Sequence, residues 1–261
     1  MYKTILLAVE NKVATITLNR SEVSNAFISE SFIEIKQAVE ECNADEAVRA
    51  IVFTGAGKHF SAGGDIQWFK TLVETKEYLT AVGVDTATNM GMAVRKSSKP
   101  TIAMINGAAA GAGCSLALAC DFRVVTASSK FVMSFINVGL SGDTGGFYYL
   151  QKIVGIAKAS EMMMLGEPVS GEEAFRIGLA NTLADEGQLA EVAYKLAGKL
   201  ANKPLFAIKK QKELMMEFFY NNIDTYSIKE RDYMVECSKT EDFAEATYAF
   251  LEKRKPNFKG K

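Results

Sequence analysis

The sequence predicts an α/β fold that gives way to helices toward the C-terminus. Three observations carry this expectation. Short apolar runs of strand type alternate with helix-type runs over roughly the first 140 residues. Two glycine-rich turns, Phe60-Ser-Ala-Gly-Gly-Asp-Ile66 and Asn106-Gly-Ala-Ala-Ala-Gly-Ala-Gly-Cys114, each lie between such a strand and such a helix. From about residue 144 onward the strand signal fades and helical patterns dominate.

Taken in order, residues 4–9 and 13–18 read as two strands joined by the tight polar turn Glu10-Asn-Lys12, a β-hairpin signal. Ile28, Phe32, Ile35, Val39 and Cys42 then recur at helical spacing and predict an amphipathic helix over 28–42. Ala50–Thr54 is a short buried-type strand ending in Gly-Ala-Gly. After the first glycine turn, residues 66–96 are expected to be mostly helical, with a break near Gly83. Thr101–Ile105 is strand-like, Ser115–Ala119 begins a compact apolar helix, and Phe122–Thr126 and Phe131–Phe135 complete the expected strands. Helices are expected over Ala190–Leu200 and 205–219. The division that follows is a core over 1–195 and a helical region over 196–261.

Composition narrows the function classes. A chain of 261 residues is long enough for one large core or a core with a helical appendage. A net charge of −1 gives no basic face for nucleic acid or anionic membrane, and no nucleic-acid or membrane partner is expected. The clearest local basic cluster is Lys253-Arg-Lys255 near the C-terminus. Four cysteines without metal-type spacing and a single histidine predict no metal site. The N-terminus lacks the apolar stretch of a secretory signal, and no run reaches the roughly 18–20 residues of a membrane span. A reduced, cytoplasmic protein is expected.

The glycine turns carry the chemistry. A helix start behind a glycine turn offers unpaired N–H donors and a dipole that favours negative charge. Neither turn is followed by the Gly-Lys-Ser/Thr of a P-loop, and Gly107-x-x-x-Gly111-x-Gly113 does not have the dinucleotide spacing. Two short turns suit a single developing oxyanion better than a diphosphate. A third segment, Gly139-Leu-Ser-Gly-Asp-Thr-Gly-Gly146, adds one carboxylate, Asp143.

The motif series closes the argument. Asn19-Arg20 with Asn25-Ala26 is followed by Gly55-Ala-Gly-Lys-x-Phe60-Ser-Ala-Gly-Gly-Asp-Ile66, Lys99-Pro100, Asn106-Gly107 and Gly111-Ala-Gly-Cys114 through Ala119-Cys-Asp121. Gly139-Leu140, Asp143, Gly145-Gly146, Ile153-Val-Gly155 and the ending Phe250–Phe258 continue it. Together they resemble the enoyl-CoA hydratase/isomerase (crotonase) superfamily over essentially the whole chain. The resemblance implies a spiral of ββα units with a C-terminal helical trimerisation region, a homotrimer or dimer of trimers, and an acyl-CoA thioester substrate. Coenzyme A would enter with that substrate, so no separate cofactor is implied. The N–H groups of Gly64 and Ala112 would form the oxyanion hole. Val23, Ser24, Ala62, Asp65 and Ile66 match segments that contact coenzyme A, Met234 and Phe250 match contacts to its adenine end, and Lys253 matches a lysine that reaches its phosphates on a neighbouring subunit.

The chain departs from the hydratases at both of their glutamates: the aligned positions hold Ser115 and Phe135. A lone serine hydroxyl is a poor base and phenylalanine transfers no proton, which disfavours two-glutamate hydration and leaves Asp143 as proton shuttle for double-bond isomerisation. An atypical hydratase, an acyl-CoA hydrolase and a catalytically silent CoA-thioester-binding homologue are the alternatives. At residue level two readings stand side by side. Asp143 and Asp65 occupy positions suited to helix N-caps; Trp68 and Phe135 suit an acyl pocket or plain core packing; Ser115 suits packing or a hydrogen bond to substrate; Lys253 suits phosphate binding or a solvated tail.

Overall fold

The computed structural model describes residues 2–261. Strands β1 (Ile5–Glu10) and β2 (Val13–Leu18) pair as an antiparallel hairpin from Ile5↔Leu18 to Glu10↔Val13. Asn11 and Lys12 at its tip both have positive φ, 49° and 69°, the conformation that matches the right-handed strand twist. Helix α1 (Ser29–Ala44) buries Phe32, Ile35, Val39 and Cys42, the stripe that the spacing predicts.

Strand β3 (Ala50–Gly55) leads through the first glycine turn to α2 (Ile66–Thr75) and α3 (Ala81–Arg95). The break between these two helices lies at 76–80, not at Gly83. Lys76 ends α2 in the left-handed conformation, and the Thr80 side chain caps α3 by accepting from the Gly83 N–H at 3.1 Å. Gly83 therefore sits inside the first turn of α3, where a capping hydroxyl outweighs its low helix propensity.

Next come β4 (Thr101–Ile105), β5 (Ala108–Ala110), α4 (Ala112–Ala119), β6 (Phe122–Thr126) and β7 (Lys130–Val132). The expected strand over Phe131–Phe135 stops at Val132, because Phe135 opens a 3₁₀ turn over Ile136–Val138. Helix α5 (Gly146–Leu165) is bent at Gly155. Two short strands, β8 (Val169–Ser170) and β9 (Thr182–Ala184), flank α6 (Gly171–Arg176) in the region expected to be helical. With β5 they escape sequence reading, since two or three residues are too few to show a period. Helices α7 (Leu189–Ala201), α8 (Leu205–Phe218), α9 (Ile223–Cys237) and α10 (Glu241–Leu251) complete the chain.

The large sheet runs β1-β2-β3-β4-β6-β9, parallel from β2 onward, and β5-β7-β8 form a small second sheet. The units β4-β5-α4 and β6-β7-α5 each place one strand in the large sheet, one in the small sheet and then a helix. Two single-residue parallel bridges, Phe27↔Gly64 and Ser61↔Ala109, extend the stacking to the turns before them. This is a spiral of ββα turns. Strands buried on both faces read as continuous apolar runs. Ile51 and Phe53 point into the main core, while Ala50 and Val52 face a second cluster covered by Ala193, Ala197 and Ala201 of α7. Position 195, where the sequence reading divides core from helical region, lies within this one continuous helix.

Candidate active site

The spiral brings the two glycine turns into direct contact. Ser61 N–H donates to Ala108 O at 3.0 Å and Ala110 N–H to Ser61 O at 2.9 Å, so the first turn is stitched to β5. Gly63, at φ +86°, lies so near the second turn that a Cβ there would stand 2.7 Å from Ala110 O. A Cβ on Gly113 would stand 2.6 Å from the Ser61 Cβ. Real Cβ atoms do not approach that closely, so glycine is what allows the two helix starts to meet. The N–H groups of Gly64 and Ala112, one from each turn, have no protein acceptor among the described residues. Ala112 is the first residue of α4 behind Gly111, where the helix leaves its N–H unpaired.

These two residues line a cavity of about 140 Å³. Phe27 and Phe32, Trp68 and Phe69 of α2, and Val84 and Ala87 of α3 contribute to its wall. Phe135, Val138 and Leu140 line it as well, with Met234 of α9 and Phe250 of α10 from the C-terminal helices of the same chain. Ser29, Ser134, Asn137 and Asp143 are the polar side chains on its wall, and Asp143 alone among them is ionisable.

Asp143 does not cap a helix. Gly145 is the N-cap of α5, and the carboxylate of Asp143 takes its single hydrogen bond among the described residues from the Thr144 hydroxyl, at 3.3 Å. It is 8% exposed. Burial pushes its carboxyl up to about 7, partly offset by the Thr144 hydrogen bond. A carboxyl that loses its proton near neutral pH on a largely apolar wall is chemically able to transfer one there.

Of the other residues singled out from the sequence, Ala62, Ile66, Trp68, Phe135, Met234 and Phe250 line this cavity together with Gly64, Ala112 and Asp143. Asp65 is a structural cap: it accepts from the Gln67 N–H at 3.0 Å and pairs with Arg20 at 3.2 Å. Ser115 is fully buried beneath the cavity, with its hydroxyl directed at Gly111 O and Asp143 O, at 3.3 and 3.5 Å. Val23 and Ser24 lie in and just after a 3₁₀ turn, and Ser24 has the left-handed conformation. Lys253 is exposed just beyond α10. His59 accepts from the Ala108 N–H at 3.3 Å, a turn role, and burial lowers its pKa.

Two features escape sequence reading. Glu230 stands in the charged run Lys229-Glu-Arg-Asp232, which reads as a solvated helix face, yet it is buried and accepts from the Gly145 N–H at 2.8 Å. Asp121 receives both Arg95 and Lys212, and accepts from Thr101 N–H at 2.9 Å. Those partners lie far away in sequence, on α3 and α8, so no local signal announces the cluster.

Comparison with known proteins agrees with this geometry. Residues 8–261 match the family model described as enoyl-CoA hydratase/isomerase. The chain is 35% identical to crotonyl-CoA hydratase of Syntrophomonas wolfei, covering 98% of each chain. It is 36% identical to 1,2-epoxyphenylacetyl-CoA isomerase of Escherichia coli K12 over the full length of both. The crystal structure of an enoyl-CoA hydratase from Mycobacterium avium subsp. paratuberculosis superposes with a TM-score of 0.90 at 25% identity, over 99% of this chain and 100% of the other. Among the described residues no helix is long and apolar enough to cross a membrane. By family match, fold and relatives alike, the chain belongs to the enoyl-CoA hydratase/isomerase family.

Proposed function

We propose that the protein isomerises the double bond of an enoyl-CoA thioester, with Asp143 as the proton shuttle and the N–H groups of Gly64 and Ala112 as the oxyanion hole. The observation that carries this reading is that Asp143 is the one ionisable side chain on the cavity wall. The ionised carboxylate takes a proton from one carbon of the acyl chain. The electron pair moves onto the thioester oxygen, where two preorganised donors meet it, each worth roughly 2.7–4 kcal/mol of barrier. The protonated Asp143, which exchanges with solvent between the two steps, then delivers a proton to another carbon, and the carbonyl re-forms with the double bond displaced. No water is consumed and no cofactor is required, since coenzyme A arrives as part of the substrate. Phe135 at the wall and Ser115 beneath it offer no second acid–base group, which supports isomerisation over hydration.

Incubation with 2-enoyl- and 3-enoyl-CoA esters in D₂O, followed by mass analysis, tests the reading. Shifted unsaturation with deuterium uptake is expected; addition of water or release of free acid overturns it in favour of a hydratase or hydrolase. A tightly held ester with no exchange identifies a silent binding protein. Lys253, Val23 and Ser24 are read as contacts to the coenzyme A portion outside the cavity. We also read the chain as a cytoplasmic homotrimer or dimer of trimers. Phe206, Leu214 and Phe218 on α8 are 74%, 56% and 64% exposed, an apolar face that suits contact between copies. Light scattering that returns a monomer mass would refute the assembly.

A further inference from the structure

Asp143 sits on a turn with unusual backbone. Gly142, Thr144 and Gly145 have φ of +106°, +58° and +71°, and threonine rarely adopts such values. A turn of this kind persists only where its surroundings hold it. The hold comes from α9: the Glu230 carboxylate accepts from the Gly145 N–H at 2.8 Å, in a buried contact that joins residues 85 positions apart. Glu230 is itself 8% exposed and stands one helical turn before Met234, which lines the cavity. The turn also packs against α3, where a Cβ on Gly91 would stand 2.9 Å from Thr144 O. The turn is therefore held by both α3 and α9, with Asp143 on the cavity wall.

We propose that Glu230 is the positioning residue for Asp143: its buried carboxyl fixes the turn through the Gly145 N–H and so holds Asp143 at the cavity wall. This deepens the isomerase reading and rests on it. Burial first, with repulsion from Asp143 adding to it, pushes the Glu230 carboxyl up to about 8, against the opposing hydrogen bonds from Gly145 and Tyr226. The other ionisable groups around it do not supply a counter-charge. Tyr226 on its own helix and Tyr149 on α5 are both raised by burial and stay neutral. On α3, Asp85 is engaged by Arg231 and Arg95 by Asp121. Two neighbouring carboxyls without a cation lose their protons in separate steps, Asp143 at about 7 before Glu230 at about 8, so Glu230 is still protonated when Asp143 becomes a base.

The test is the pH dependence of deuterium exchange into a 3-enoyl-CoA ester in wild type, Glu230→Gln, Glu230→Ala and Asp143→Asn. Glutamine can still accept from the Gly145 N–H but cannot ionise. In Glu230→Gln, which keeps the acceptor, the acid limb of the kcat profile should stay at the wild-type pH, because Asp143 ionises while Glu230 is still protonated, with KM within about threefold of wild type, the tolerance expected when substrate contacts are untouched. In Glu230→Ala, kcat should fall about tenfold or more with KM little changed, the pattern of a lost transition-state geometry, and Gln should restore most of it. Wild-type kcat in Glu230→Ala overturns the inference; if the alanine variant fails to fold, a tenfold or larger loss of kcat in folded Glu230→Gln, which keeps the acceptor, does so. The Asp143→Asn arm keeps the two readings apart: exchange that survives there sinks the shuttle itself, whereas abolished exchange with wild-type kcat in Glu230→Ala sinks only the role of Glu230.

Discussion

Replacing Asp143 by Asn should stabilise the unliganded protein at alkaline pH while it abolishes proton transfer. The amide is nearly isosteric, can keep the contact with Thr144 and has no charge to bury. In the native chain the carboxyl rises from 3.8 to about 7 through burial. A carboxyl with a raised folded value binds more protons folded than unfolded between those two pH values. Its effect on stability is therefore nil below about pH 3.8, grows more unfavourable through the window, and is complete above about pH 7. At 1.36 kcal/mol per unit the full cost is on the order of 4 kcal/mol. For a chain of this size that corresponds to roughly 8–16 °C in melting temperature. Glu230 follows the same sign between 4.5 and about 8 in both proteins, so both stability curves fall with pH, the wild-type curve more steeply. The assay is thermal unfolding of both proteins from pH 4.5 to 9 at equal protomer concentration. Parallel curves, or an Asn variant that is the less stable of the two at pH 8.5, would refute the placement of Asp143 as a buried, uncompensated carboxyl.

Other consequences of the geometry are equally open to measurement. Ala112→Pro removes one hole donor at a first-helical position that tolerates proline, so kcat should fall about 100- to 1,000-fold with the fold intact; unchanged turnover would remove Ala112 from the hole. Gly113→Ala forces a Cβ toward Ser61 where the turns meet and should cost about 1–3 kcal/mol in urea unfolding; a neutral result would mean the turns are not in contact. Asp121→Ala strands Arg95 and Lys212 in the interior and should cost about 3–5 kcal/mol. A loss below about 1 kcal/mol, typical of exposed pairs, would show that the cluster is solvated.

Much of this protein is written locally. The α1 stripe, the hairpin and the buried strands each follow from apolar spacing within a dozen residues, because helix and strand periods are properties of contiguous chain. The glycine turns and Asp143 were legible for a related reason: unusual backbone demands unusual residues, and glycine marks where it occurs. What local pattern misjudged is also instructive. Gly83 suggested a break that a capping threonine three residues earlier absorbed, and Ser115, at a position where the hydratases carry an acid, lies beneath the cavity wall.

The sequence by itself determined the family, the two helix starts and the carboxylate of the third glycine segment, Asp143. Only the tertiary structure decided that Gly64 and Ala112 share one cavity, that Asp143 is a buried carboxyl and no helix cap, and that Glu230 holds the Gly145 N–H of the same turn. The physical reason is distance along the chain. Burial, pKa and hydrogen-bond partnership depend on what packs against a group, and for Asp143 that is set by α3 and α9, which lie about fifty residues before it and some eighty after it. A charged run such as Lys229-Glu-Arg-Asp232 contains nothing to say which of its members the fold will take inside.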